Sequence, residues 1–543
     1  FRPPGTLDTE EIAYKKHEQI DYIAVQHRWK NTITDAESNT KANLDSDHYP
    51  VIATVRIKLR ATHNKKGPGR SKYEISTKEQ KEERNKMMTE KMAELRKDNT
   101  SVVEMTTKVM SILETGKQEL PTIPKKERKE AFSKQTRGLL QQRQNARDKN
   151  NFKAYKILNW RFRKSKKEDR TKMIMDTLDK DLDIRDKWLG IRQLKQEYQP
   201  YTYARTTKEG HHIPQKERAQ KAAEYLAKEQ WGKKRKREED TEQEQPKKRA
   251  DKIRIARDTE EKYNTEEITM EEIWETIKKF KRRKAPGPDE IPMELFQEMD
   301  NTSMEGIREL LNKWWQEEDI PIETLKARVV LIYKKGDTSK YENYRPISLL
   351  NAIYKIYAGI IQKRLAKTLD EHLSKTQYGF RKDKSTGDAI QLVRRVTEFG
   401  QGTNNKLHMV LLDWEKAFDK VDRNKMFEAL ERMSINKKYI NIIKSLYKNT
   451  QFKVEIEGDS SKWLEQETGI RQGCPLSPYL FIIVMTVMFE DIKEDHKLAT
   501  DLIKNRVPGA DFDEVMYADD TICISQDTKT MNNFIKSIET IGK

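Results

Sequence analysis

Apolar and polar residues change rhythm three times along the chain. Ile20–Val25 and Tyr49–Leu59 are β-branched and partly alternating, which predicts strands. Lys65–Ser71 (KKGPGRS) breaks that rhythm with two glycines and a proline among basic residues, the composition of a linker. From about 72 to 265 charged residues dominate. Glu79–Lys97 and Asn151–Glu168 carry narrow apolar stripes at helical spacing there. Beyond 266 the pattern becomes denser in apolar positions and in turn residues. Thr269 followed by Glu272 has the spacing of a capping box and opens a predicted helix over Ile268–Lys284, which Ala285–Pro292 (APGPDEIP) stops. Helices and strands then mix without regular βαβ alternation, so the fold class is α+β. The predicted division is 1–60, 61–265 and 266–543, and no period of repeat length runs through it.

Charge sharpens this picture. The 543 residues hold 107 Lys plus Arg against 89 Asp plus Glu, a net +18, with 36% charged and 35% apolar residues. That balance predicts packed regions joined by long solvated ones, and a polyanionic partner. Two cysteines, Cys474 and Cys523, exclude a disulfide framework and any all-cysteine zinc site. The longest apolar run, Tyr479–Phe489, falls short of the about 20 residues a bilayer helix needs, so no membrane partner is expected. Lys233–Arg237 and Lys247–Arg249 flank a polar spacer, which reads as a nuclear import signal or as a solvated, phosphate-contacting patch. Tyr155, Trp160 and Phe162 interleave with Arg and Lys. They could stack on bases, but helical spacing favours a buried stripe. The chain opens at Phe1 rather than Met, as a piece of a longer protein would.

Candidate chemistry concentrates in two segments. Met409–Leu412 is an apolar run that predicts a buried strand delivering Asp413 at its end. Val515–Tyr517 and Thr521–Ile524 predict two short strands, with Ala518-Asp519-Asp520 as the tight turn of a hairpin. Adjacent acids at such a tip repel unless something neutralises them. A divalent metal would do so, and Mg²⁺ favours a few carboxylates plus substrate phosphates over an all-protein cage. An isolated Asp-Asp in a turn would be an ordinary solvated loop.

Tyr517-Ala518-Asp519-Asp520 does not stand alone. KAPGPDEIP (Lys284–Pro292), LIYKKGD (Leu331–Asp337), NYRPISLLNAIYKI (Asn343–Ile356), QYGFRKDKSTGDAI (Gln377–Ile390), LLDWEKAFDKVD (Leu411–Asp422) and GIRQGCPLSP (Gly469–Pro478) precede it in that order. Together they resemble the reverse transcriptase of non-LTR (LINE-type) retrotransposons over about the last half of the chain. The resemblance implies an RNA-directed DNA polymerase of right-hand architecture, with fingers and palm in 266–543 and the thumb expected beyond Lys543. It implies a metal-binding catalytic triad of Asp413, Asp519 and Asp520, two Mg²⁺ ions, and an RNA template, a DNA target or primer and deoxynucleoside triphosphates as partners. It places an aromatic steric gate at Phe418, where the bland alternative is a core ring. It places Gln472 and Gly473 against the nascent base pair, where the alternative is a plain turn. Lys334, Lys335 and Arg345 would grip the triphosphate, since cationic heads suit phosphate. Arg381 would touch the template, or would form an ordinary salt bridge. Where many relatives carry Asn, this chain has Ile482.

The front end carries a second resemblance. NLDSDHYPV (Asn43–Val51) and QIDYI (Gln19–Ile23) resemble the end of an apurinic endonuclease-like domain, so 1–60 would be the last strands of an α/β sandwich. By that resemblance His48 contacts the scissile phosphate, Asp21 orients its imidazole and Asp47 supports the metal and water site. The upstream Asn, Glu and Asp residues such a domain needs are not in the sequence, so this portion is expected to be inert. The basic helical region 61–265 would lie between the two domains and bind nucleic acid through salt-sensitive phosphate contacts. The implied location is the nucleus, after ribonucleoprotein assembly in the cytoplasm. A non-catalytic nucleic-acid-binding protein, derived from a decayed or domesticated element, is the alternative.

Overall fold

The computed structural model describes residues 23, 33–38, 51–55, 73, 75–95, 100–122, 132–149, 151–178, 205–207, 209–232, 260–403, 406–496, 513–525 and 527–542. The principal elements, in chain order, are β1 (Ile33–Ser38), β2 (Val51–Val55), α1 (Lys78–Leu95), α2 (Val102–Gln118), α3 (Lys134–Asp148), α4 (Phe152–Leu178), β3 (Arg205–Thr206), β4 (His212–Ile213), α5 (Arg218–Tyr225), α6 (Met270–Lys278), α7 (Asn301–Glu317), β5 (Ala327–Tyr333), β6 (Tyr344–Leu350), α8 (Ala352–Leu369), α9 (Thr386–Gly402), β7 (His408–Leu412), α10 (Arg423–Arg432), α11 (Lys437–Leu446), β8 (Gln451–Ile456), β9 (Asp459–Ser460), β10 (Leu464–Glu465), α12 (Ser477–His496), β11 (Glu514–Tyr517), β12 (Asp520–Ser525) and α13 (Thr528–Ile541).

They fall into two compact units, 1–65 with 125–201 and 66–124 with 202–543. In the first, β1 and β2 form an antiparallel pair, and α3 packs on α4. Of the strand expected over Ile20–Val25 only Ile23 is described, and it lies outside any strand. Asp21, Asp47, His48 and both basic clusters near 233–249 fall outside the described residues. On α4 the expected aromatic stripe is split. Phe162 is buried edge-to-face against Phe132 with the Arg143 guanidinium 4.4 Å over its ring, whereas Trp160 is 64% exposed.

The second unit holds the larger core. One sheet runs β10-β8-β5-β6, with β9 pairing β8 at its side, and a second runs β11-β12-β7. Tyr479–Phe489 becomes the middle of α12, and almost all of it is buried. Among the described residues no helix is long and apolar enough to cross a membrane. The capping box forms as expected, Thr269 Oγ1 accepting from the Glu272 N–H and the Glu272 carboxylate accepting from the Thr269 N–H. The helix it opens ends at Lys278, short of the expected Lys284. Gln297 Nε2 donates to the Phe280 carbonyl, and Arg283 turns to positive φ (59°) as its N–H bonds to Glu294.

The region 61–265, read from sequence as one extension, divides between the units. Helices α1 and α2 join the second core through a buried cluster. Arg84 and Ser76 both bond to Glu298 at 3.0 and 2.6 Å, and Trp314 Nε1 donates to Thr106. Residues 205–232 also pack there. The Arg205 guanidinium lies 4.2 Å over the Tyr344 ring, and the Tyr341 hydroxyl donates to the Arg218 carbonyl. A charged composition hid these segments, because their few apolar and hydrogen-bonding positions are satisfied by partners more than 100 residues away.

Candidate active site at a strand hairpin

Strand β7 is an edge strand, paired only with β12. Of the run Met409–Leu412, expected to be buried, Met409, Val410 and Leu412 are half-buried against apolar neighbours and Leu411 is 74% exposed. The register does the important work. Leu412 pairs with Thr521 on the last rung of the ladder, so Asp413 leaves β7 beside the rung that Asp520 precedes in β12. Asp519 occupies the two-residue turn with Ala518, because Tyr517 pairs with Asp520. Asp413 and Asp520 are exposed and Asp519 half-buried. Among the described residues no Lys or Arg forms an ion pair with any of the three.

Among the described residues no three His, Cys, Asp or Glu side chains gather closely enough to form a metal cluster. The ladder thus brings Asp413, Asp519 and Asp520 to the same end of the sheet without drawing the three carboxylates onto one point. Like charges gathered at one end of a sheet repel. The donor set itself, hard oxygens at strand ends with no cation partner, fits a divalent metal that keeps part of its coordination for substrate.

The turn is held from behind. Gln377, fully buried, accepts from the Ala518 N–H (2.9 Å) and the Gly379 N–H (2.8 Å) at Oε1 and donates from Nε2 to the Ala518 carbonyl (3.3 Å). Met516 exchanges backbone bonds with Thr376 and Tyr378 alongside. Ala518 has φ +59°, a left-handed conformation that costs an alanine free energy and persists because its peptide groups are pinned. A Cβ on Gly379 would lie 2.2 Å from the Ala518 nitrogen, so only glycine fits. Sequence reading quoted Gln377 and Gly379 only as parts of a motif. No local periodicity signals a clamp that spans 141 residues.

Phe418 follows on a single turn, Ala417–Lys420, and is half-buried. Its ring stacks on Phe481 (4.8 Å, 13°) and meets Phe380 edge-on (6.1 Å). Ile482, beside Phe481, is fully buried. Gln472 is directed inward, Nε2 donating to Asp419 Oδ2 at 2.9 Å, while its carbonyl accepts from the Ser348 N–H at 2.7 Å. Gly473 has φ +120°, and a Cβ there would come 2.4 Å from the Ser348 carbonyl oxygen. The close approach its glycine permits is therefore to β6. Lys334, Lys335 and Arg345 are exposed around the β5–β6 hairpin and form no ion pair among the described residues.

Arg381 takes the salt-bridge alternative. Its side chain is 6% exposed, clamping both Asp370 carboxylate oxygens (3.0 and 2.9 Å) and donating to the Ser374 and Gln377 carbonyls. Its neighbours supply acceptors in a fork geometry that an exposed position would lack.

Of the buried polar residues around this site, Asp419 and Arg423 escaped the sequence. Asp419 is 2% exposed and accepts from Trp231 Nε1 (2.8 Å) and Gln230 Nε2 (2.9 Å) as well as from Gln472. Burial pushes its carboxyl above the usual range, against the hydrogen bonds from Trp231 and Gln230. Arg471 is buried with none of its three guanidinium nitrogens hydrogen-bonded, 5.7 Å from the Tyr354 ring. Nearby, burial lowers Arg423 to about 10 while it donates to the Gly469 and Tyr447 carbonyls. Cys474 and Cys523 are buried free thiols, the latter raised to about 12 by burial.

Residues 332–543 match a family model described as reverse transcriptase (RNA-dependent DNA polymerase). The chain is 30% identical over 260 residues to the transposon TX1 uncharacterized 149 kDa protein of Xenopus laevis, covering 48% of this chain and 20% of that one. It is 26% identical to the Pol polyprotein of the type-1 retrotransposable element R2 of Nasonia vitripennis, over 48% and 24% of the two. It is 27% identical to the RNA-directed DNA polymerase from mobile element jockey of Drosophila melanogaster, over 48% and 27%. The chain thus spans no more than about a quarter of the length of these relatives. A solved apo telomerase from Candida tropicalis, truncated from its C-terminal domain, superposes with a TM-score of 0.30 at 15% identity, over 40% and 47% of the two chains. That likeness is too loose to bear on the site. Residues 332–543 of this α+β chain are thus similar to reverse transcriptases, and non-LTR retrotransposon polyproteins are among its relatives.

Proposed function

We propose that this chain is the RNA-directed DNA polymerase portion of a non-LTR retrotransposon, extending a DNA primer along an RNA template with deoxynucleoside triphosphates. The observation that carries the reading is the register that brings Asp413, at the end of β7, and the Asp519-Asp520 turn to the same end of one sheet, inside the segment matched as a reverse transcriptase. In this reading the three carboxylates hold divalent metal, with two Mg²⁺ the expected ions. Bound metal would supply charge neutralisation at the attacking 3′-oxygen and the leaving pyrophosphate.

The chain's own residues do the rest. Gln377 fixes the turn that presents Asp519 and Asp520. Phe418, held by Phe481, lies under the incoming sugar and leaves room for C2′–H but not for a 2′-hydroxyl. Lys334, Lys335 and Arg345, exposed and unpaired with acids, meet the triphosphate. The primer is the 3′-end of a nicked DNA target, which places the work in the nucleus after ribonucleoprotein assembly in the cytoplasm.

The test is primer extension on a poly-rA/oligo-dT substrate by the full-length polyprotein. RNA-templated incorporation that disappears in Asp519→Ala supports the reading. Tight nucleic-acid binding with no extension in either protein sinks it and favours the non-catalytic alternative.

A further inference from the structure

We infer that Asp419 is a positioning residue for the incoming nucleotide, and that Gln230 and Trp231, which precede the matched domain, set it so that Gln472 offers its amide oxygen to the substrate. The inference rests on the polymerase reading above.

The donor and acceptor pattern fixes the geometry. An ionised carboxylate only accepts, so each amide that meets Asp419 must turn its nitrogen toward it. Asp419 Oδ2 receives Nε2 of both Gln230 and Gln472, and Oδ1 receives the Trp231 indole N–H. With its nitrogen committed, the half-exposed Gln472 side chain directs Oε1 away from Asp419. The Gln472 backbone is equally fixed, through the Ser348 N–H bond and the Gly473 contact with β6.

The loop bearing Gln472 is also laced to the turn bearing Phe418. Ile470 N–H donates to the Phe418 carbonyl (2.8 Å) and Gly469 N–H to the Val421 carbonyl (2.9 Å). A Cβ on Gly469 would stand 2.5 Å from the Asp419 carbonyl oxygen, so the two segments are in contact. Asp419 therefore ties the residue expected to sense the sugar to the residue expected to sense the base pair.

Trp231 anchors the far side. It is 1% exposed, edge-to-face on Phe452 at 4.6 Å, and its carbonyl accepts from the Glu467 and Thr468 N–H groups. A side chain on Gly232 would strike the Ala227 and Lys228 carbonyls at 2.7 and 2.8 Å. The segment is wedged, and its indole N–H reaches Asp419 from 188 residues away. A buried aspartate could simply need partners for stability. Here one of its partners is the amide facing the expected substrate, which makes a kinetic signature available.

The experiment measures single-nucleotide incorporation by the full-length protein, recording KM and kcat for a dNTP and the Kd of template–primer. Asp419→Asn adds a donor, so the Gln472 amide inverts and shows its nitrogen to the nucleotide. KM is expected to rise about tenfold, the effect of one charge-assisted hydrogen bond, with template–primer Kd unchanged. Trp231→Phe keeps the ring on Phe452 and deletes only the N–H, and is expected to raise KM about threefold. The exchanged pair Asp419→Asn with Gln472→Glu reverses donor and acceptor while conserving total charge, and KM should return most of the way to the parent value. Unchanged KM in both single variants, or a KM in the exchanged pair no lower than in Asp419→Asn alone, overturns the inference while leaving the polymerase reading intact. A parent protein that extends no primer overturns both.

Discussion

Asp413 and Asp419 are six residues apart and could hardly be set more differently. Asp413 stands exposed at the end of an edge strand, at the same end of the sheet as Asp519 and Asp520, and pairs with no cation among the described residues. Asp419 is buried and saturated by three N–H donors. The first arrangement costs stability and is retained only where a ligand offsets it. The second costs desolvation, and hydrogen bonds within the protein offset it. A carboxylate's exposure and its partners, more than its identity, separate a residue waiting for substrate or metal from one that shapes the site.

The contrast can be broken in three places. Asp413→Asn should lower RNA-templated extension by roughly three orders of magnitude or more, the several kcal/mol a metal clamp contributes. Its thermal stability should not fall, because removing one of several like charges at this end of the sheet relieves repulsion. A clear drop in melting temperature would place Asp413 among the structural acids instead. Arg381→Ala should do the reverse. Losing a buried, bidentate partner of Asp370 should cost about 2–4 kcal/mol of unfolding free energy in denaturant titration, with extension per folded molecule kept. Loss of template affinity at undiminished stability would restore Arg381 to the template.

The smallest effect concerns Asp289, in the turn after α6, whose carboxyl burial raises to about 6 from the ordinary 3.8. A folded-state value above the unfolded one means that protonation favours the fold. Its contribution is full below about pH 4 and is lost as pH rises through about 6. At about 1.4 kcal/mol per unit over roughly two units, the loss is at most about 3 kcal/mol. Asp289→Asn should flatten that part of the stability–pH curve. An identical curve in the variant would mean that the carboxylate is solvated and ordinary.

Much of this was legible in the residues themselves. The capping box at Thr269, the Ala518-Asp519 turn and the strands flanking it are local events, decided within a few residues. What escaped was non-local. The chain before 266 gave no sign that Trp231 would reach Asp419 or that Arg84 would meet Glu298. Composition reports charge and not partners. Leu411 misled because an apolar run says nothing of whether its strand ends in the middle or at the edge of a sheet. Arg381 was left open between template and salt bridge because a guanidinium near a glycine-rich turn suits a phosphate and a carboxylate alike.

The clamp on Ala518 carries a lesson for anyone who would transplant this hairpin. Residues 514–525 contain both acids and their strands, yet the peptide unit that aims them is braced by an amide from a distant part of the chain. Moved alone into a foreign sheet, the segment would bring its negative charges without their bearing. The smallest portable form of this tip is two pieces of chain, not one.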